Sequence, residues 1–272
     1  MRKKPLELSL YVAGAGAFGV FLRWLENQLA FNEEGLADPS AFHVIVPLFL
    51  VTCLVVFWRF LEKIEAKRYF IPEEFAKALV SEHKLHELLS YAAGGVMALG
   101  ALLLFSKSET DTFVVMLRLM SALALLSGIA FPLVLREAKR ERARPGLLCP
   151  MMLLPLLLYA VWLILSYRKN AINSVPLAYG LEMLTAMASM VAYFSMAGFA
   201  FGGVKPKQAL LAVMFSGSLC IMSLADPRYL GLEMILLSSA GQMLLYTWIL
   251  LQNLQKKERR VVVKKDDGFE HL

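Results

Sequence analysis

LSYRKNAINSVPLAYGLEMLTAMASMVAYFSMAGFAFGGVKPKQ, residues 165–208, is the stretch whose reading decides the fold. It holds the end of one apolar run, a short polar loop, a second apolar run over 175–201, and a basic exit at Lys205 and Lys207. The second run exceeds the roughly 20 residues that a helix needs to cross ~30 Å of hydrocarbon at ~1.5 Å per residue. In lipid every backbone N–H and C=O must be bonded within the segment itself, so such a run is a helix. Glu182 stands about seven residues inside it, roughly 10 Å deep. Tyr179, Glu182, Thr185, Ser189 and Tyr193 recur at helical spacing on one face. A lipid-facing helix would not carry such a stripe, so this face is expected to look into a bundle or a cavity.

The same pattern recurs along the chain. Of its 272 residues 58% are hydrophobic and 18% charged, where a soluble domain has about 45–50% and about 25%. The mean hydropathy is +0.59. Eight spans are predicted, at about 6–26, 43–61, 88–106, 112–135, 147–167, 175–201, 207–225 and 229–253. The expected fold class is therefore all-α, a polytopic transmembrane bundle formed by residues 1–253, with a basic tail over 254–272. The opening MRKKPLELSLYVAGAGAFGVFLRWLENQ has the basic head and apolar body of a signal peptide. Its length, and the lack of a small-x-small cleavage site before the charged loop, make it a retained first helix. Between spans two and three, Pro72 followed by Glu73 and Glu74 is a helix start. Phe75, Leu79 and Leu85 then alternate with charges, which predicts an amphipathic interfacial helix over 72–87.

Lysine and arginine bookkeeping gives the orientation. With a cytoplasmic N-terminus, the cytoplasmic segments carry 22 of the 28 lysines and arginines and the opposite loops only four. This asymmetry predicts that both termini are cytoplasmic. The net charge of +6 is then the sum of basic loops on one side of a bilayer, not a nucleic-acid footprint. The loop REAKRERARPG, 136–146, is either a topology determinant or a contact for anionic lipid head groups.

Ionisable groups inside a membrane are costly unless paired, so each is a candidate site. Arg118 in span four lies at a depth comparable to Glu182 from the same side. A pair between them is allowed, as a binding site or as a packing device. Ser238, Gln242 and Tyr246 form a second stripe, for which interhelical hydrogen bonding is the ordinary reading. Glu182, Arg118, Tyr179, Thr185, Ser189, Tyr193, Ser238 and Gln242 thus make up the candidate substrate-binding set. Arg23, near the outer end of span one, is expected to snorkel outward beside Glu26. No HExxH, GxxxxGK[ST] or GxSxG pattern is present, and Cys53, Cys149 and Cys220 are widely spaced. These features assign no catalytic residue, no metal and no cofactor, and they weigh against an enzyme. The ends of spans four and eight, VLREAKRER and LQNLQKKERR, are faintly alike, as parallel halves would be.

FLRWLENQLAFNEEGL, LSYRKNAINSVPLAYGLEML, AGFAFGGVKPKQ and SLADP resemble segments of a family of polytopic integral membrane proteins of gut Clostridia with no assigned activity. The resemblance implies a bacterial inner-membrane setting and supplies no site residue. Three functional readings stand. The favoured one is a small-solute permease built around Glu182, Arg118 and Gln242. The second is a non-transporting membrane subunit or sensor that docks a cytoplasmic partner through its inner interfacial helix and basic loops. The third is a lipid-modifying enzyme, for which no catalytic group stands out at the interface. Homo-oligomerisation is left open.

Overall fold

The computed structural model describes residues 4–30, 40–67, 69–81, 83–109, 111–140, 145–170 and 176–256. Within them lie nine α-helices: α1 (Lys4–Leu29), α2 (Phe42–Ala66), α3 (Phe75–Leu79), α4 (Lys84–Ser108), α5 (Val114–Ala138), α6 (Pro145–Asn170), α7 (Pro176–Phe201), α8 (Pro206–Met222) and α9 (Leu230–Gln252). All but α3 are long and apolar enough to cross a membrane, so the eight expected spans are present. Pro47, Pro132, Pro150 and Pro155 lie inside helices that continue through them. The expected loop 136–146 and tail 254–272 fall partly outside the described residues, at 141–144 and 257–272.

The chain runs up and down. Strand β1 (Tyr69–Phe70), after α2, pairs antiparallel with β2 (Gln255–Lys256), after α9, in the register Tyr69↔Lys256 and Phe70↔Gln255. That clip fixes both connections to one end, here the near end, which also bears the start of α1. Lys139–Glu87 at 2.7 Å and Lys207–Glu65 at 2.7 Å join further elements there. The connections α1–α2, α4–α5, α6–α7 and α8–α9 lie at the far end.

Small residues set the closest approaches. A Cβ added at Gly128 would stand 2.6 Å from the carbonyl oxygen of Gly94, and one at Gly100 would stand 2.8 Å from that of Gly231. The backbone of α4 is therefore pressed against α5 on one side and α9 on the other, the packing that small residues permit in a membrane. Seryl hydroxyls add hydrogen bonds across the same seams. Ser121 Oγ donates to Ala101 O, and Ser238 Oγ donates to Ala93 O, each at 2.6 Å. The core continues from α5 into α7 and α6, where Phe131, Tyr193, Tyr159 and Trp162 stack in series with centroids 6.1, 5.9 and 5.6 Å apart.

The segment 72–87 departs from expectation. Among its described residues it is not one surface helix but the five-residue α3 and the first turn of α4, with extended backbone at Val80 and His83 between them. Phe75, Ala78 and Leu79 are buried, with α3 against α5, α7 and α9. Asn253 explains the break, since its Nδ2 donates to the carbonyls of Ala78 and Val80 at 2.8 Å each. Those acceptors are thereby taken by the end of α9. Of the apolar residues that read as one interfacial face, Phe75 and Leu79 are folded into the near end as a plug, while Leu85, in the first turn of α4, stays exposed.

Candidate functional site: an ionic chain at the far end

Arg23 sits six residues before the end of α1, roughly 9 Å inside the helix. It is not snorkelling but is 3% exposed, which in such surroundings demands a counter-charge. Two are supplied. Its Nη1 donates to Glu26 Oε2 at 2.6 Å, one turn on, and its Nε donates to Asp226 Oδ1 at 2.7 Å. Asp226 belongs to the short connection that follows a 3-10 turn, Ser223–Ala225, at the end of α8. Its Oδ1 also accepts from Asn27 Nδ2 at 3.1 Å, and its Oδ2 accepts from Arg228 Nη2 at 3.1 Å.

Arg228 extends the chain toward α7. Its Nη1 donates to the carbonyl of Ser223, its Nε donates to Glu182 Oε2 at 3.4 Å, and its backbone N–H donates to Glu233 Oε1 at 3.4 Å. The other oxygen of Glu182, Oε1, accepts from Trp162 Nε1 at 2.8 Å. At the opposite end of the chain, His43 Nδ1 lies 3.4 Å from Glu26 Oε1 and ties in the first turn of α2. The order His43, Glu26, Arg23, Asp226, Arg228, Glu182 alternates in sign once His43 carries a proton. With His43 neutral, these six side chains sum to −1.

This chain joins α1, α2, α7 and the α8–α9 connection, and through Trp162 it reaches α6. The two end groups are the most exposed: the side chains of Glu26, Arg23, Asp226 and Arg228 are 2%, 3%, 11% and 6% exposed, against 16% for His43 and 22% for Glu182. Desolvated charges of this kind hold together only while each keeps its partner. Ser223, whose carbonyl accepts from Arg228, has a buried hydroxyl with no hydrogen-bond partner among the described residues.

A second ionic group at the same end closes α4–α5 onto α6 and α9. Lys169 Nζ bonds Asp111 Oδ2 at 2.9 Å, Tyr229 OH donates to the same oxygen at 3.4 Å, and the Phe113 N–H donates to Asp111 Oδ1 at 2.9 Å. Burial would raise the Asp111 carboxyl, but these donors and the lysine charge outweigh it and hold it below the usual aspartate range. Lys107 and Lys169 lie over the Tyr229 ring, 5.3 and 5.2 Å from its centroid.

Of the candidates read from sequence, Glu182 is in the chain and Tyr179 is half-buried one turn before it. Thr185, Ser189 and Tyr193 face inward, at most 2% exposed. Thr185 Oγ1 donates to Leu181 O at 2.8 Å, and Ser189 Oγ lies 2.9 Å from Ser216 Oγ and 3.3 Å from Cys220 Sγ. Gln242 accepts at Oε1 from Ser90 Oγ at 3.2 Å, beside the Ser238 bond to α4. Arg118 stands elsewhere. It is exposed on α5, with Nε 3.4 Å from Ser108 Oγ and its guanidinium 5.5 Å from the Phe105 ring centroid. Glu182 takes Arg228 instead.

Asp226 and Arg228 are absent from the set read from sequence. The available signal was Arg23, a cation inside a predicted span and so in need of an acid, together with the charged Asp226-Pro227-Arg228 connection where two spans end. Among the described residues no group of three His, Cys, Asp or Glu is arranged to hold a metal ion. Comparison with family models, with curated proteins and with solved structures gave no match.

Proposed function

We propose that this chain is a membrane-embedded subunit or sensor rather than a permease, a bacterial inner-membrane protein with both termini in the cytoplasm. The observation that carries this reading is the use made of the mid-depth polar groups. Thr185, Ser189, Ser238 and Gln242 are at most 2% exposed, and each is hydrogen-bonded to its own helix or a neighbouring one. Polar side chains engaged in this way act as interhelical glue. A solute path would need them to face water. The resemblance to clostridial membrane proteins supports the cellular setting, and the excess of lysine and arginine on the near-end side of the spans supports the orientation.

The test is access of a membrane-impermeant thiol reagent to single cysteines at Thr185, Ser189, Ser238 and Gln242 in a cysteine-free chain. The sensor reading expects protection at all four. Labelling of the mid-depth set from water would instead establish a permeation path, and the permease reading, with Glu182 at its mouth, would replace this one. The orientation has its own control. Cysteines in place of Lys77 and Thr112, both exposed, should label from the cytoplasmic and the external side respectively.

A further inference from the structure

The near end holds a cleft that neither the ionic chain nor the helix seams explain. It has a volume of about 410 Å³ and is walled by Leu153 of α6, by Phe194, Gly198 and Phe201 of α7, and by Val204 in the turn to α8. That lies within the ~300–1,000 Å³ usual for ligand sites. Phe194 and Phe201 are exposed by 66% and 57% on the lipid-facing side, so the apolar wall is continuous with the bilayer. Where α7 ends, the wall changes character. Gly203, Lys205 and Gln208 complete it. The backbone turns there through Gly202 at φ +73°, and a Cβ on Gly203 would meet nothing within 4 Å, so the cleft is open at that level.

The charges at this rim are unequal. Lys207 is neutralised by Glu65 at 2.7 Å and lies 5.0 Å from the Trp58 ring centroid. Lys205 is exposed and forms no ion pair among the described residues. An apolar slot opening to lipid, ending in an unneutralised ammonium at the depth where a span stops, matches one two-part molecule. We propose that this cleft binds an anionic glycerophospholipid of the near-end leaflet, with an acyl chain along Leu153, Phe194 and Phe201 and the phosphate at Lys205. Lys205 supplies the preference for negative head groups, and the apolar walls supply retention regardless of head group.

Native mass spectrometry of the full chain, released from micelles containing equal phosphatidylglycerol and phosphatidylcholine, tests this. The expected result is one retained phosphatidylglycerol, favoured about fivefold over phosphatidylcholine, as one lysine near an anionic head group supplies. Lys205→Gln should lower the ratio to about one while keeping a bound lipid. Gly203→Phe, which fills open space, should lose both lipids, and glycerol phosphate alone should not bind. Equal retention of the two lipids by the unaltered chain would overturn the proposal, as would an undiminished preference in Lys205→Gln. Occupancy unaffected by Gly203→Phe would place the lipid elsewhere and equally refute it.

Discussion

Asp226 is the point at which the ionic chain can be broken with the clearest consequence. One carboxylate accepts Arg23 Nε at 2.7 Å and Asn27 Nδ2 at 3.1 Å on Oδ1, and Arg228 Nη2 at 3.1 Å on Oδ2. Asp226→Ala removes three hydrogen bonds to a charged acceptor, two of them from guanidinium groups, each worth about 1.5–3 kcal/mol. It leaves two guanidinium groups, 3% and 6% exposed, facing the vacated place. Both retain a second acid, Glu26 and Glu182, so neither is wholly stranded. The lower part of the ~3–5 kcal/mol range for a broken buried pair is therefore expected, about 3 kcal/mol. Asp226→Asn should cost nearly as much, because its amide would turn N–H groups toward a donor. Unfolding titrations in mixed micelles at fixed detergent and lipid measure the loss. Pairing Asp226→Ala with Arg23→Met should recover at least about 1 kcal/mol relative to the sum of the single losses, since the Arg23–Asp226 bond is lost only once and Arg228, which keeps Glu182, is then the one guanidinium facing that place. A loss below about 1 kcal/mol for Asp226→Asn, with single losses that add to within ~0.5 kcal/mol, would show that the chain is not energetically coupled and would refute the reasoning.

Other predictions follow from individual contacts. Gly128→Ala drives a Cβ to 2.6 Å from Gly94 O and should cost about 1–3 kcal/mol, whereas Gly95→Ala, with open space around it, should be neutral or stabilising by the same titration. Glu182→Gln should destabilise by about 1–3 kcal/mol through the Arg228 and Trp162 partners, while Arg118→Gln on the helix surface should stay within ~0.5 kcal/mol. Asp111 is held below the usual aspartate range, so its contribution to stability is complete above the unfolded value of about 4 and is lost as pH falls through its lower folded value. Asp111→Asn should therefore flatten the stability-against-pH curve in that acid window and leave its shape at neutral pH unchanged. An unaltered acid limb would remove Asp111 from the far-end clamp.

Number and type of spans were legible because hydrocarbon imposes length and backbone satisfaction on each segment separately. Span ends were less so. α2 runs to Ala66 and α4 begins at Lys84, outside the apolar limits, because charged turns such as Lys63–Ala66 stay helical once they leave the hydrocarbon. The 72–87 segment failed for a different reason. Its local pattern was amphipathic, but the decision to break lay with Asn253, more than 170 residues downstream, which took the Ala78 and Val80 carbonyls.

The site shows the same division. Reading along a span gives an expected depth for Glu182 and the side of its polar stripe, and that side agrees with the inward Thr185, Ser189 and Tyr193. It gives no information on which neighbour stands at that side. Arg118 matched Glu182 in depth, yet α5 presents it to the bundle surface, where it rests on Phe105 and Ser108. The acid's true cation, Arg228, sits in a connection and counted toward topology rather than chemistry. Depth is a property of one helix, but partnership depends on azimuth, and azimuth is set by helix contacts such as Gly94 on Gly128 and Gly100 on Gly231. A more informative rule for such chains follows from Arg23. An intramembrane charge close to a span end should be matched first against acids in the short connections at that same end. Those residues reach its depth without the cost of placing a second charge in a helix, and Asp226 meets the condition.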